Sequence, residues 1–452
     1  MNKQDLFMFT PATPFQGDCS NFHMQGPVLA PLEFTGWRDE TLAWKDGAYI
    51  GTSISISPTL KVNGPDTLRF LSDTCVNSFS NFPIGTAKHG IMCRDDGIIM
   101  SDGVILRTAE DEVVTYWMAP YQAYVLEKGR YRAAAEDLTM TSFVFQVAGP
   151  RSLEILEKAS GDDLHDIAFI HHRPTTIAGK AVRILRLGMA GTLAYEAHGP
   201  FDDAHAVYQA IWAAGEDYGI RKLGLLSYMM NHTEDGFPQA YYHFPYPWYE
   251  DPGFAEWLDQ RPGAGFLSEN PVLVGSMGFD AALRYRNPVE LGWADMIKFD
   301  HEFVGRAALE KLVANQKRQM VTLEWNAEDL GDIYISQFRD EEPYSQMDRP
   351  NDMYYQPGPH VYHADQVLRD GKLVGISSGR AISQFYHRMI SLCSIDKESA
   401  GLGTEVAVLW GDPGTRQKEV RATVARFPYL NENRNQAVDV SKIAHAAEGG
   451  SS

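Results

Sequence analysis

The sequence predicts an α+β protein: two related α+β lobes followed by a β-rich C-terminal domain. Three observations predict it. A strand–Gly-Pro–helix phrase occurs twice, at residues 60–71 (LKVNGPDTLRFL) and 145–156 (FQVAGPRSLEIL), with apolar residues at matching offsets. Residues 94–120 form a succession of short β-branched runs broken by turn residues. Beyond Lys317 the pattern turns to β, in runs at 320–325, 371–377, 389–395, 406–410 and 419–424. The boundaries drawn from this are 1–316 for the two-lobed body, 317–430 for the β-rich domain and 431–452 for a tail.

Taken in order, residues 1–34 are rich in Pro, Gly and Asn with scattered aromatics, and read as an arm lying on the body. A helix is predicted from about Glu33 through Trp44, anchored by Trp37, Leu42 and Trp44. The first Gly-Pro corner follows, with proline placed at the first helical turn. Within 94–120, Asp95-Asp96-Gly97, Ser101-Asp102-Gly103 and Ala109–Glu112 all carry turn chemistry. Asp102, wedged between two apolar runs, is either turn punctuation or a carboxylate aimed into a pocket.

After the second corner, residues 181–198 read as strand, Gly-containing turn and strand, and 204–218 as a helix with Val207, Ile211 and Ala214 on one face. A looser third echo of the repeated phrase lies at 298–309. Residues 231–266, dense in aromatics, His and Pro, are too irregular for a core element and too aromatic for a linker. The end, AHAAEGGSS, reads as disordered.

Composition bounds the function. A formal net charge of −19 argues against a nucleic-acid or anionic-membrane partner, since both need basic surface. The four cysteines are far apart with no CxxC pair, so neither a zinc site nor a disulfide framework is predicted. The N-terminus has no apolar signal region and no apolar run is long enough to span a bilayer, so a cytoplasmic protein is expected. Phosphate-binding loops, HExxH and the GxSxG elbow are absent, and the adjacent pair His171-His172 is a weak metal signal. No metal is expected. An organic cofactor would then carry the hard step.

The landmarks together resemble the aminomethyltransferase (glycine-cleavage T-protein) superfamily, and within it the bacterial vanillate and syringate O-demethylases. They are Trp37-Arg38 with Glu40, Gly64 with Leu71–Thr74, Asp102-Gly103, Gly188–Gly191 with Glu196, Asn287–Gly292, Lys298–Arg306, Val321–Asn326, and Gly403–Glu405 with Val408–Gly411. The likeness runs from about residue 30 to 430. The resemblance implies two lobes around a central folate channel, closed by a third, β-rich lobe, with tetrahydrofolate as cofactor. By motif match it places Asp102 near the reactive pterin nitrogens and Glu196 on the pterin ring, with Tyr116 and Trp257 as further folate contacts. A carboxylate suits that ring, whose amino group and ring N–H present parallel donors.

Two departures bear on the substrate. Where the vanillate-type enzymes carry a His pair, residues 53–58 (SISISP, with Ile56) have no imidazole. Where they carry a substrate-binding Arg, this chain has Met118, which replaces an anion partner with a thioether. Met118, Ile56 and Tyr241 are accordingly assigned to the substrate, and the 241–248 stretch to a stacking wall. The expected partner is a small aromatic substrate, and within that class a neutral, bulky aromatic ether such as a methoxyarene or a methylenedioxyphenyl lignan like sesamin. O-demethylation of aromatic acids, aminomethyl transfer and a non-catalytic folate-binding role are the alternatives. With the family His gone, the general acid is one of Tyr246, Tyr228 and His243. Oligomeric state is not legible.

Overall fold

The two Gly-Pro corners fold alike. Gly64 and Gly149 take φ of 141° and 131°. A β-carbon at either would sit 2.3 Å from a backbone carbonyl oxygen, that of Arg132 in one case and Gly47 in the other. Only glycine fits such a turn. Each leads into a helix, Thr67–Thr74 and Ser152–Ser160, whose first N–H bonds back to the glycine carbonyl at 3.0 Å. The computed structural model describes residues 19–25, 28–52, 57–261, 271–354 and 360–445.

Each corner belongs to its own sheet. The first is five-stranded, in the order Ala87–Cys93, Ile99–Ala109, Glu112–Tyr116, Thr59–Asn63, Ala134–Asp137. The second is six-stranded: His172–Ile177, Lys180–Leu185, Ala194–Pro200, Ser142–Ala148, Ala48–Gly51, Ile220–Leu223. The chain crosses between them, because Ala48–Gly51 precedes the first lobe yet pairs antiparallel with Ser142–Ala148 and parallel with Ile220–Leu223. Phe143, Phe145 and Val147 of the second sheet pack with Leu153 and Leu156 of its helix and with Val207 and Ile211 of helix Ala204–Gly215.

The C-terminal β segments close into a barrel in the order Arg318–Trp325, Arg388–Asp396, Lys372–Ser383, Asp365–Arg369, Glu405–Trp410, Lys418–Ala425. All five predicted runs lie in or across these strands. The alternation there also hid a helix, Ala327–Ser336, capped by Asn326, whose side-chain oxygen accepts from the N–H groups of Glu328 and Asp329.

Four readings of the sequence need correction. Ser101-Asp102-Gly103 is no turn: strand Ile99–Ala109 runs straight through it, with Asp102 opposite Ile91 and Gly103 opposite Gly90. Gly103 is needed for close approach instead, since a β-carbon there would lie 2.0 Å from the Tyr116 carbonyl oxygen. The helix predicted over 33–44 is two short ones, Trp37–Glu40 and Ala43–Asp46. The third echo is not a strand–helix unit; only its end enters a helix, Arg306–Ala314. The aromatic stretch is core after all: Phe244, Tyr246 and Trp248 are buried between Ile91 and Ile99 of the first sheet and Leu392 of the barrel. Large rings fill a gap between sheet and barrel that a regular element would not.

The described part of the tail packs on the body. Residues 431–445 are fastened to the second lobe, where Asn435 donates to the Ala194 carbonyl at 3.2 Å and Arg186 donates to the Asn435 carbonyl at 2.8 Å. The remainder, 446–452, lies outside the described residues, as do most of the N-terminal arm and Ile56.

Candidate active site

A cavity of about 620 Å³ opens between the two sheets and helix Leu225–Asp235. Its walls are largely apolar, including Val104, Val144, Leu187, Met189, Phe237 and Met296. Two polar poles face into it, one from each sheet.

The first pole is Asp102. Strand pairing puts it diagonal to His89 on the neighbouring strand, on one face of the sheet. His89 Nε2–H donates to Asp102 Oδ2 at 2.8 Å. Tyr246 Oη donates to Asp102 Oδ1 at 2.6 Å and accepts from the Asp102 N–H at 3.0 Å. The Tyr246 ring stacks on Trp248, centroids 5.0 Å apart, and Trp248 Nε1–H is tied to the Met100 carbonyl at 2.6 Å. Burial, and then the Asp102 charge, hold the Tyr246 hydroxyl well above its ordinary pKa.

The second pole is Glu196, on strand Ala194–Pro200. Tyr116 Oη, at the end of a first-sheet strand, donates to His198 Nδ1 at 2.6 Å, and His198 Nε2–H donates to Glu196 Oε2 at 3.1 Å. This chain joins the two lobes and orients the carboxylate. Burial and Glu196 together raise the Tyr116 pKa. One hydrogen bond leaves most of a carboxylate's acceptor capacity for a ligand. A buried carboxylate in an apolar cavity of this size fits a flat heterocycle with adjacent N–H donors, as a reduced pterin has.

Helix Leu225–Asp235 spans the two poles. Tyr228 lines the cavity, its hydroxyl raised by burial and then by Glu196. His232, one turn later, is pushed down to about 4 by burial. Asp235 pairs with Arg434, but burial outweighs that ion pair and raises it to about 6.

The structure therefore brings Asp102, Tyr246, Tyr228, Glu196 and Tyr116 to one cavity. Four other assignments are corrected. His243 is buried outside the cavity against Gly379, its Nδ1 accepting from the Gln239 N–H at 2.9 Å. Trp257 sits on helix Pro252–Asp259 away from the cavity, its Nε1–H donating to Glu127 at 2.7 Å and the Arg261 guanidinium 3.2 Å over its ring. Met118 is fully buried in the first-lobe core with Leu60, Val62 and Phe70. Tyr241 packs edge-on behind Tyr246, centroids 5.5 Å apart, and lies tilted against His360 at 4.6 Å. It backs the site without lining it.

Sequence reasoning missed His89, His198 and His232. The signals were there: His198 is two residues from Glu196 on a strand, and His232 is four from Tyr228 on a helix. His89 had none, since only strand register brings it to Asp102.

The chain is similar to known proteins along most of its length. Residues 21–242 match the GCVT N-terminal domain. Sesamin methylene transferase of Sinomonas sp. (strain No.22) is 48% identical over 427 residues, covering 93% of this chain and 94% of that protein. Syringate O-demethylase of Sphingobium sp. strain SYK-6 is 32% identical over 426 residues, covering 88% and 89%. Among solved structures, the glycine cleavage system aminomethyltransferase T of Bartonella henselae superposes with a TM-score of 0.69 at 15% identity, covering 95% of this chain and 99% of that one, a likeness of fold. Among the described residues no helix is long and apolar enough to cross a membrane. The chain belongs to the aminomethyltransferase (GCVT) superfamily of one-carbon transferases.

Proposed function

We propose that the protein transfers one carbon from a neutral aromatic ether to tetrahydrofolate, releasing a phenol or catechol. The observation that carries this is the Tyr246–Asp102–His89 chain, a proton donor locked to a carboxylate on the wall of an apolar cavity. Proteins named sesamin methylene transferase and syringate O-demethylase, similar over nearly the whole chain, support it.

Tetrahydrofolate, when bound, supplies the amine nitrogens that take up the carbon. Glu196, oriented by His198, would hold its pterin ring. Asp102 stabilises positive charge developing on an amine nearby. Tyr246 gives its proton to the aryl oxygen as the C–O bond breaks, a general-acid contribution of roughly 10²–10⁴-fold. In the resting site the Asp102 charge keeps that proton on Tyr246, so no tyrosinate competes for the carbon.

Met118 no longer argues for a neutral substrate, because it is core. The cavity's own cations take over that argument. Lys88 donates to the Ser78 carbonyl at 2.6 Å, Lys298 to the Asp295 carbonyl at 2.7 Å, and Arg434 is paired with Asp235. Among the described residues each of these cations already donates to a protein oxygen, Arg434 within an ion pair, so a benzoate would have to compete for them.

The test is incubation with tetrahydrofolate and a panel of methoxy- and methylenedioxyarenes, with and without a ring carboxylate, both products being quantified. Neutral ethers should be consumed in step with folate. Turnover confined to the carboxylates would overturn the substrate class.

A further inference from the structure

His232 has its proton fixed in place. Nδ1 lies 3.1 Å from the Phe237 carbonyl oxygen, which can only accept, so Nδ1 carries the hydrogen. Nε2 is then a bare lone pair. It is buried, has no hydrogen-bond partner, and belongs to a ring 3% exposed that lines the cavity. Four ionisable groups surround it. Tyr228 packs edge-on at 5.4 Å, Asp102 faces it from the first sheet, His243 from the following loop, and Asp235 lies on its own helix. An unsatisfied buried acceptor facing a ligand cavity calls for a donor on the ligand.

Proton accounting identifies that donor. Each C–O bond broken at an aryl ether needs one proton on oxygen, and each C–N bond formed at a secondary amine releases one from nitrogen. Tyr246 can serve the oxygen. Asp102 is held as the anion by the hydrogen bonds it accepts from Tyr246 and His89, whereas His232 Nε2 accepts from nothing.

We infer that His232 Nε2 takes the proton that the folate amine sheds on accepting the carbon, an inference resting on the folate reading above. The amine lone pair forms the N–C bond, and the C–O pair leaves on the aryl oxygen. That oxygen takes the Tyr246 proton, and the alkylated nitrogen gives its proton to His232. One N–H is lost and one O–H gained. The resulting imidazolium and tyrosinate are neutralised when a proton passes between them through solvent before the pair acts again. A methylenedioxy substrate, with two C–O bonds to break and two N–H groups to lose, uses the pair twice.

The test is nitrogen NMR of the full chain with ¹⁵N-labelled histidine, the His232 signals being assigned by their loss in His232→Asn or His232→Gln. Adding tetrahydrofolate alone should move the Nε2 resonance from a bare nitrogen toward a hydrogen-bonded one. His232→Asn, which can accept a hydrogen bond but not a proton, should bind tetrahydrofolate within about tenfold of wild type while kcat falls roughly 10²–10⁴-fold. An unmoved Nε2 resonance in the saturated wild-type complex, or a His232→Asn kcat within about threefold of wild type, overturns the inference alone. Wild-type protein that does not bind tetrahydrofolate overturns the folate reading with it.

Discussion

Tyr246 and Asp102, 144 residues apart in sequence, exchange two hydrogen bonds, the hydroxyl donating to Oδ1 at 2.6 Å and accepting from the Asp102 N–H at 3.0 Å. The phenol is thus gripped by backbone and carboxylate of one residue, which fixes its oxygen at the cavity wall. Tyr246→Phe removes the proton but keeps the ring on Trp248. Its kcat should fall roughly 10²–10⁴-fold, with tetrahydrofolate affinity held within about threefold. A kcat near wild type in steady-state assays would take the acid role from Tyr246.

Glu196 is oriented by His198, which is oriented in turn by Tyr116. Glu196→Gln keeps the shape and replaces one acceptor oxygen by a donor facing the pterin. Tetrahydrofolate binding, followed by intrinsic fluorescence, should weaken by about tenfold or more, some 1.4 kcal/mol or above. An unchanged Kd would mean that Glu196 does not hold the ring.

Met118 separates the two substrate arguments. An arginine at this position would enter the first-lobe core, where the side chain is fully buried with Leu60 and Phe70. Met118→Arg should therefore destabilise the protein by on the order of 3 kcal/mol or more, without creating activity toward aromatic acids. Thermal melts and a benzoate assay check both halves. A stable variant that gains benzoate turnover would return Met118 to the substrate.

His172 offers a test of pH dependence away from the cavity. Burial, and then the Arg183 charge, hold it down at about 4 against an ordinary 6.5. The unfolded chain takes up a proton there first as pH falls, so the stability contributed above about 6.5 is lost toward 4. Wild type should lose more Tm between pH 7 and pH 4.5 than His172→Asn does. Parallel losses would contradict this.

The repeated Gly-Pro phrase was legible because one strained turn demands glycine wherever it is used, so its sequence is the same at Gly64 and Gly149. Of the barrel strands, Glu405–Trp410 and Lys418–Ala425 bury alternate residues, whereas Lys372–Ser383 and Arg388–Asp396 are buried almost throughout and were legible as short apolar runs. Asp102 was ambiguous for a physical reason: Asp-Gly marks hairpins, yet here glycine serves the close approach to Tyr116, and the strand continues. His243, Trp257, Tyr241 and Met118 were misplaced because motif position fixes a residue's place along the chain and not the face its side chain takes. His89 stayed hidden because strand register alone brings it to Asp102.

In the proposed reaction carbon leaves an aryl oxygen for folate in this cavity. Its most direct test is incubation of the protein with tetrahydrofolate and a methylenedioxyarene labelled with ¹³C at the bridge carbon, followed by mass spectrometry of the folate. One ¹³C should enter the folate for each catechol released, with no release when folate is omitted. Catechol formed without folate, or label that never leaves the ether, would contradict it.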